Sequence, residues 1–540
     1  MQELSFKFDN TVFSYKSYEM ELFIYTFENV FGLDKSSVCI TENQNGLIVE
    51  CERLVWAGGQ EKAEGMARIE INDKNGGFSA AVWAAHGKHV IRCVKLVIRN
   101  LPGESVANKL DLSNPIITDK GISLKYPGGW RTLDTAMCLL KYPGGYTCLR
   151  SADDRVRDKK FVLFKKDSTV TAELIFEETA SIMNREVSVP AWEIFPCKSV
   201  DEAYEIQKAH ISSSFSLEPW ETRRDVPAWA KEISLVASIH GQHWSGRIFN
   251  DYRAMLCILE QITEYIDGKR VLAYISGWEG RYYWKYGDYT TDERMGGDEG
   301  FAHLAEGAKK LGVHLMPMFG INIVNPGLPN FEQWGEPSRL RTPSGAIHAG
   351  SVDWDASRHY DHNSHANLNP AAPQWQTYLV NQIRDITDKY GLDAVFLDIG
   401  ALWQNDPNHE LYSGVKRLVE RIRDNKPNMF LSGEGWYDGL AAIFPAVQSG
   451  HTDGLMHYHD TIYPPFFDTW CRNYAHLCLG DPGSGSTGTH ELGFNNVNWK
   501  TPLRKGVWPT VTIVGDTLEN GWGKVLEIID DAKRYAEMFL

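Results

Sequence analysis

Two carboxylates stand at corresponding places in two successive copies of one sequence pattern. Asp398 ends an apolar run at 394–397, and Glu434 follows a second apolar stretch at 429–431. An amphipathic helical pattern separates them, as expected for neighbouring parallel strands of a β/α barrel, whose reacting groups lie at the carboxyl ends of the strands. Adjacent strands are about 4.8 Å apart. The two carboxyl groups are therefore predicted to meet the spacing of roughly 5 Å that retaining glycoside hydrolysis requires.

The surroundings of the two acids predict different roles for them. The three residues after Asp398 carry no charge that could neutralise it, so it is predicted to be the ionised nucleophile. Glu434 lies between two glycines, where a backbone can approach a ligand closely, and near Trp436. An apolar ring raises the pKa of a neighbouring Glu, which favours a role as the acid/base. An acid after a strand can also cap the next helix, and this is the simpler interpretation of Asp406 and Asp438.

Size, composition and charge limit the class of protein. A chain of 540 residues suits two or three domains. Its 43% hydrophobic and 23% charged residues are typical of a soluble globular protein, and a net charge of −15 disfavours nucleic acid and anionic membranes as partners. The 18 Trp, 23 Tyr and 23 Phe offer rings on which sugar faces can stack. The predicted partner is an oligosaccharide or glycoconjugate, with no nucleic acid and no membrane; the oligomeric state stays open.

The cysteines and the start of the sequence bear on the compartment. Nine cysteines without a CxxC pair favour buried reduced thiols, as at Cys257 within an apolar pattern, over disulfides or a zinc site. The first residues show no signal-peptide pattern, and no apolar run is long enough to span a membrane. We therefore expect a cytoplasmic protein, unless a leader has been removed. No cofactor and no metal are predicted, because phosphate-binding motifs are absent and the donor-rich segment 353–362 has no convincing ligand spacing.

The sequence changes character once along its length. Residues 1–198 show short alternating segments between Gly, Asn, Asp and Pro turns, which predict a β-sandwich. Residues 199–225 are predicted to be a linker with a helix. Residues 226–540 alternate strand and helix patterns, which predicts a (β/α)8 TIM barrel and hence a multidomain α and β protein. Strands are expected to begin near residues 233, 270, 313, 394, 429, 454 and 509, with an eighth near 471.

The segments 395–398 and 431–438 resemble the nucleophile and acid/base strands of retaining barrel glycosidases that act on α-linked sugars. Their spacing, and the aromatic residue after the Glu, are most similar to the endo-α-N-acetylgalactosaminidase family. This resemblance implies an Asp nucleophile on strand four and a Glu acid/base on strand five, behind an N-terminal β-sandwich. The α-amylase superfamily shares the layout, but Phe396 stands where that superfamily has an Arg.

A second resemblance implies a different acid. Residues 432–439 are similar to the Ser-Gly-Gly-Gly substrate loop of α-galactosidases, whose acid lies one strand later. On that alignment Asp460, next to His459, would hold the acid, and Glu434 would bind substrate.

The remaining candidates for substrate binding follow predicted strand ends or lie in aromatic loops. They are His240, Trp278, Glu279, Tyr282, Asn322, Trp403, Trp436 and His459. Together these residues predict a retaining glycoside hydrolase, and the resemblance to the barrel glycosidases implies that it acts on an α-linked sugar. The alternatives are a transglycosylase that uses the same residues, or an inactive barrel that only binds carbohydrate.

Overall fold

The computed structural model of the chain describes residues 10–56, 62–108, 115–127, 133–242, 247–279, 286–347, 366–424, 426–448, 465–474, 503–515 and 517–540. All structural statements below concern these residues.

The first part of the described chain is an antiparallel β-structure. Its strands form one connected sheet in the order β10-β13-β14-β8-β2-β3-β5-β6-β7-β15-β12-β11-β9, with β1 paired to β2 and β4 to β5. The strands are β1 Val12–Tyr15, β2 Tyr18–Thr26, β3 Val30–Leu33, β4 Val38–Asn43, β5 Gly46–Trp56, β6 Lys62–Lys74, β7 Gly77–His86, β8 Ile91–Leu101, β9 Ser105–Val106, β10 Ile122–Tyr126, β11 Met137–Tyr142, β12 Gly145–Ser151, β13 Lys159–Lys166, β14 Thr169–Glu177 and β15 Glu186–Cys197.

The alternating sequence pattern produces this sheet. In β7, Phe78, Ala80, Val82 and Ala84 are buried, while the residues between them are partly or fully exposed. Side chains of a strand point alternately to its two faces, so a period of two places one face against the core. The predicted antiparallel β-structure is confirmed; its arrangement as a sandwich, and the domain limits at 198 and 225, stay predictions.

The second part contains eight parallel strands. They are β16 Leu235–His240, β17 Val271–Ser276, β18 His314–Gly320, β21 Ala394–Asp398, β22 Phe430–Glu434, β23 Ala446–Gln448, β24 Arg472–Tyr474 and β25 Thr510–Ile513; the short strands β19 Ile323–Val324 and β20 Ala366–Asn367 form a separate pair. Neighbours in the sheet follow chain order, and β25 pairs with β16. Asn473 also bonds to Gly506 and Trp508, just before β25. The sheet is therefore a nearly closed barrel, as predicted.

Helices precede, connect and follow the strands of the barrel. They are α1 Val200–Ser214, α2 Tyr252–Thr263, α3 Gly297–Leu311, α4 Phe331–Trp334, α5 Pro373–Tyr390, α6 Leu411–Arg423 and α7 Thr517–Phe539. Their ends carry ordinary signals: the Asp251 side chain accepts from Ala254 N at the start of α2, and α5 begins with Pro373 and ends at Gly391 in a left-handed conformation. None of the helices in the described residues is both long and apolar enough to cross a membrane.

The strand next to β22 in the barrel differs from the prediction. The strand that pairs with β22 is β23, with Ser432 opposite Ala446 in parallel register, whereas 454–460 was expected to form it. A strand of three residues is too short for its period to be recognised in a sequence. Residues 454–460 lie outside the described part of the chain.

The cysteines also depart in part from expectation. The eight that the structure describes are free thiols, and most are buried or partly buried. Cys257 is exposed because it lies on the solvent-facing side of the amphipathic helix α2, although its neighbours in the sequence are apolar.

The interior of the barrel is packed with alternate side chains of its strands. Buried residues of this inner cluster include Val236, Leu272, Tyr274, Met316, Met318, Phe396, Phe430 and Tyr474. Because successive side chains of a strand point to opposite faces, Asp398 shares the inner face with Phe396, and Glu434 shares it with Phe430. Both acids therefore stand above a filled core, at the carboxyl-terminal end of the barrel.

Two loops at this end are bonded to the antiparallel part of the chain. After β21, Asn405 donates to the Glu177 side chain and the Glu178 carbonyl, each at 2.8 Å. After β22, Asp438 accepts from the Tyr126 hydroxyl at 2.5 Å and the Thr135 hydroxyl at 2.6 Å. Asp438 is thus a structural residue, although it does not cap a helix as expected.

This buried carboxyl group leads to a prediction on stability. Burial raises the pKa of Asp438 from 3.8 to about 6, so between these values the folded state binds more protons than the unfolded state. Stability from this group is present at low pH and is lost as pH rises through this window. Relative to Asp438→Asn, the wild-type protein should lose about 3 kcal/mol of unfolding free energy between pH 4 and 7. Chemical denaturation of both proteins measures this difference, and parallel pH curves would contradict it.

Candidate active site

The two acids predicted to react are in direct contact. Asp398 and Glu434 end the neighbouring strands β21 and β22, each is only 6% exposed, and their side chains hydrogen-bond to each other. The hydroxyl of Tyr286 donates to Asp398 Oδ2. The backbone N–H of Ile399 donates to Glu434 Oε2 at 2.8 Å.

This hydrogen bond bears on the protonation of the pair. The separation of roughly 5 Å between the two carboxyl groups stays a prediction. The strand ends are neighbours, and both side chains face the barrel interior. Two carboxylates this close cannot both be ionised, so the pair shares one proton.

The environment decides where that proton resides. Burial raises the pKa of Glu434 well above its usual range, and the charge of Asp398 and the hydrogen bond to it raise it further. Burial also raises the pKa of Asp398, but hydrogen bonds from Glu434, Tyr286 and the Ile399 backbone oppose that rise. The favoured state is a protonated Glu434 beside an ionised Asp398, which titrate as a coupled pair.

The backbone after Asp398 is strained. Ile399 has a φ of +55°, a left-handed conformation that β-branched residues rarely adopt. The Ile399 N–H donates to Glu434 Oε2. The Ile399 carbonyl accepts from Asn322 Nδ2 at 3.0 Å and from Leu402 N. Two predicted site residues therefore hold the turn that orients Asp398. Asn322 Oδ1 has no hydrogen-bond partner among the described residues, which leaves it available to a ligand.

The glycines beside Glu434 serve the fold. A Cβ on Gly433 would lie 2.7 Å from the Phe444 ring, and Gly435 has a φ of +78°. Gly433 is therefore required for packing and Gly435 for a turn. This replaces the expectation that they allow a close approach of ligand.

The predicted aromatic residues have different environments. Trp278 is fully buried, donates to the Met318 carbonyl at 2.9 Å and packs against Phe301 and Phe319. It belongs to the layer between barrel and α3, which corrects its assignment to the pocket wall. Trp436 is buried edge-on against Phe467. Trp403 is buried as well, and its indole N–H has no partner among the described residues.

The remaining candidates are only partly described. His240 and Glu279 are buried near the ends of β16 and β17. Burial raises the pKa of Tyr274 most, and Asp398, Glu434 and Glu279 each add to the rise, so all three acids lie near this ring. Tyr282, His459 and Asp460 lie outside the described residues. Within the described ranges, no group of His, Cys, Asp or Glu is arranged to hold a metal ion.

Sequence comparison identifies no relatives: no family model matches the chain, and no curated protein does. Solved structures do match. The α-N-acetylgalactosaminidase NagBb from Bifidobacterium bifidum, in complex with GalNAc, superposes with a TM-score of 0.66 at 10% identity, over 98% of this chain and 92% of that one.

Two α-galactosidase structures also match over nearly the whole chain. The GH36 α-galactosidase AgaB from Geobacillus stearothermophilus has a TM-score of 0.54 at 11% identity, over 97% of this chain and 75% of that one. The galactosidase domain of the α-galactosidase-sucrose kinase AgaSK has a TM-score of 0.52 at 12% identity, over 97% and 72%. At these identities the comparison concerns the fold, and this chain shares that fold with these three enzymes.

Proposed function

We propose that this protein is a retaining glycoside hydrolase that acts on an α-linked sugar, with Asp398 as its nucleophile. The observation that carries this proposal is the pair of buried carboxyl groups, Asp398 and Glu434, on neighbouring strand ends at the carboxyl-terminal end of the barrel. The shared fold supports it, because the named structures belong to an α-N-acetylgalactosaminidase and two α-galactosidases.

The reaction has two displacements. An oxygen of Asp398 attacks the anomeric carbon, the bond from that carbon to the leaving oxygen breaks, and the leaving oxygen takes a proton from the acid. Water then attacks the anomeric carbon of the glycosyl ester and gives a proton to the same group, now acting as a base. The ester bond to Asp398 breaks, and the sugar leaves with its original anomeric configuration.

Which residue serves as the acid/base is a separate question. Glu434 is hydrogen-bonded to Asp398 on the neighbouring strand end, and holding Asp398 accounts for that bond without a proton transfer to the leaving oxygen. This favours the assignment in which the acid lies one strand later and Glu434 binds substrate and holds Asp398 ionised. The strand in question is β23, which ends at Gln448, and the first carboxylates after it in the sequence are Asp453 and Asp460. We assign the acid/base to Asp453, with Asp460 and Glu434 as the competing positions.

The proposed substrates are α-galactosides and α-N-acetylgalactosaminides. A panel of aryl α- and β-glycosides of galactose, N-acetylgalactosamine and glucose tests this, with the first-formed anomer followed by NMR. We expect turnover of α-glycosides with the α-anomer released first. Release of the β-anomer first would show inversion. Sugar binding without turnover across the panel would identify a carbohydrate-binding barrel, and products extended by an added acceptor sugar would identify a transglycosylase.

A further inference from the structure

Tyr286 contacts the proposed nucleophile, although no sequence pattern singled it out. Its side chain is fully buried in the barrel interior, and its hydroxyl donates to Asp398 Oδ2. A phenol hydroxyl has a single proton to donate, so the contact occupies one named oxygen of the carboxylate.

The contact depends on a missing side chain on the neighbouring strand. Gly320 ends β18 and stands opposite Asp398 in parallel register. A Cβ at this position would lie 2.5 Å from both Cζ and the hydroxyl oxygen of Tyr286. Any larger residue would push the ring away, so the glycine provides the space in which the hydroxyl reaches the acid.

The backbone around Tyr286 is fixed independently of that hydroxyl. The Tyr286 carbonyl accepts from Asn325 N at 2.8 Å. The amide of Gln382, on α5, donates to the Gly287 carbonyl at 2.8 Å and accepts from Tyr289 N at 2.9 Å. The ring direction is thus determined by main-chain bonds, and the hydroxyl meets Asp398 without first having to be ordered.

We propose that Tyr286 is a positioning residue for the nucleophile: its hydroxyl holds Asp398 Oδ2, orients the carboxylate and favours its ionised form. This inference rests on the proposed function. A buried carboxylate tends towards its neutral form, and hydrogen bonds to the charged form oppose that tendency. Tyr286 therefore acts on both the orientation and the ionisation of Asp398.

Tyr286→Phe removes the hydroxyl and keeps the ring. For an activated aryl α-glycoside we expect kcat/KM to fall about 10- to 100-fold, because one hydrogen bond to a charged group is lost. The acid limb of its pH profile should move to higher pH, since Asp398 becomes harder to ionise, while KM changes little. Tyr286→Phe leaves the other titratable side chains of the described barrel interior unchanged, and these are Glu434, Glu279, His240, Tyr274 and Tyr474.

Tyr289→Phe is the matched control. Tyr289 belongs to the same segment and is equally buried, but its hydroxyl accepts from Gly320 N at 2.5 Å and donates to the Gly320 carbonyl at 3.4 Å. This variant should lower Tm and leave the acid limb in place. An unmoved acid limb in Tyr286→Phe, or the same shift in both variants, would overturn the proposal.

Trapping separates this proposal from the proposed function. A fluorinated glycosyl fluoride of the preferred sugar should label the wild-type protein, and peptide mass spectrometry should find the label on Asp398. Absence of that adduct would overturn the nucleophile assignment and the role of Tyr286 with it. An adduct that forms equally fast in Tyr286→Phe would overturn the role of Tyr286 alone.

Discussion

Replacing Asp398 with Ala should remove turnover by a factor on the order of 10⁵, because no covalent glycosyl-enzyme can form. The fold should persist. With Asp398 gone, Glu434 is neutral and no buried charge is left unpaired. The Tyr286 hydroxyl loses its acceptor, which should lower the free energy of unfolding by about 1–3 kcal/mol. Steady-state kinetics on activated aryl α-glycosides measure the loss, and circular dichroism checks the fold.

Asp393→Ala is the matched control for this variant. Asp393 directly precedes the same strand, at its opposite end, is partly exposed and pairs with His314 at 2.9 Å. It should keep its activity. Added azide should restore some turnover to Asp398→Ala and give the β-glycosyl azide, since the anion attacks where the carboxylate did. Full activity of Asp398→Ala would end the assignment of the nucleophile.

The second large effect concerns the acid. Asp453→Asn should reduce hydrolysis of substrates with poor leaving groups by about 10²- to 10⁴-fold, and of activated aryl glycosides much less, because these need little protonation. The fall in rate at high pH should be absent from this variant, because that fall reports deprotonation of the acid/base. A fluorescent substrate series of graded leaving-group pKa measures both effects.

Glu434→Gln is the informative comparison. The amide can still donate a hydrogen bond to Asp398, as the protonated acid does, so this variant should lose less and show little dependence on the leaving group. If Glu434→Gln shows the leaving-group dependence instead, Glu434 is the acid and must move away from Asp398 when substrate binds. The same result for Asp460→Asn would move the acid there.

Much of the barrel could be predicted from sequence, because its strands are apolar runs and its helices are amphipathic. The predicted helix at 375–390 corresponds to Pro373–Tyr390, and the strand near 471 to Arg472–Tyr474. Both acids at neighbouring strand ends were also predictable, since strand order in a barrel follows chain order. The three residues of β23 gave no periodic signal and were therefore missed.

Contacts between distant residues could not be predicted. The bond from Tyr286 to Asp398 requires a glycine at 320 in a different strand, and no local pattern indicates such a combination. Trp278 shows the converse problem, because an aromatic residue after a strand looks the same whether it lines a pocket or packs under a helix. The direct contact of Asp398 with Glu434 depends on both side chains facing inward at one level, which strand spacing alone does not determine.

The bonds from Asn405 and Asp438 to the antiparallel sheet have a consequence for engineering this protein. The loops after the fourth and fifth barrel strands, which follow the two acids, take part of their shape from residues encoded more than two hundred positions earlier. A barrel expressed alone would keep the acids but lose these anchors. Mutant libraries that aim at new substrates should therefore vary Tyr126, Thr135 and Glu177 as well. Mutations confined to the barrel would leave the residues that hold these two loops unchanged.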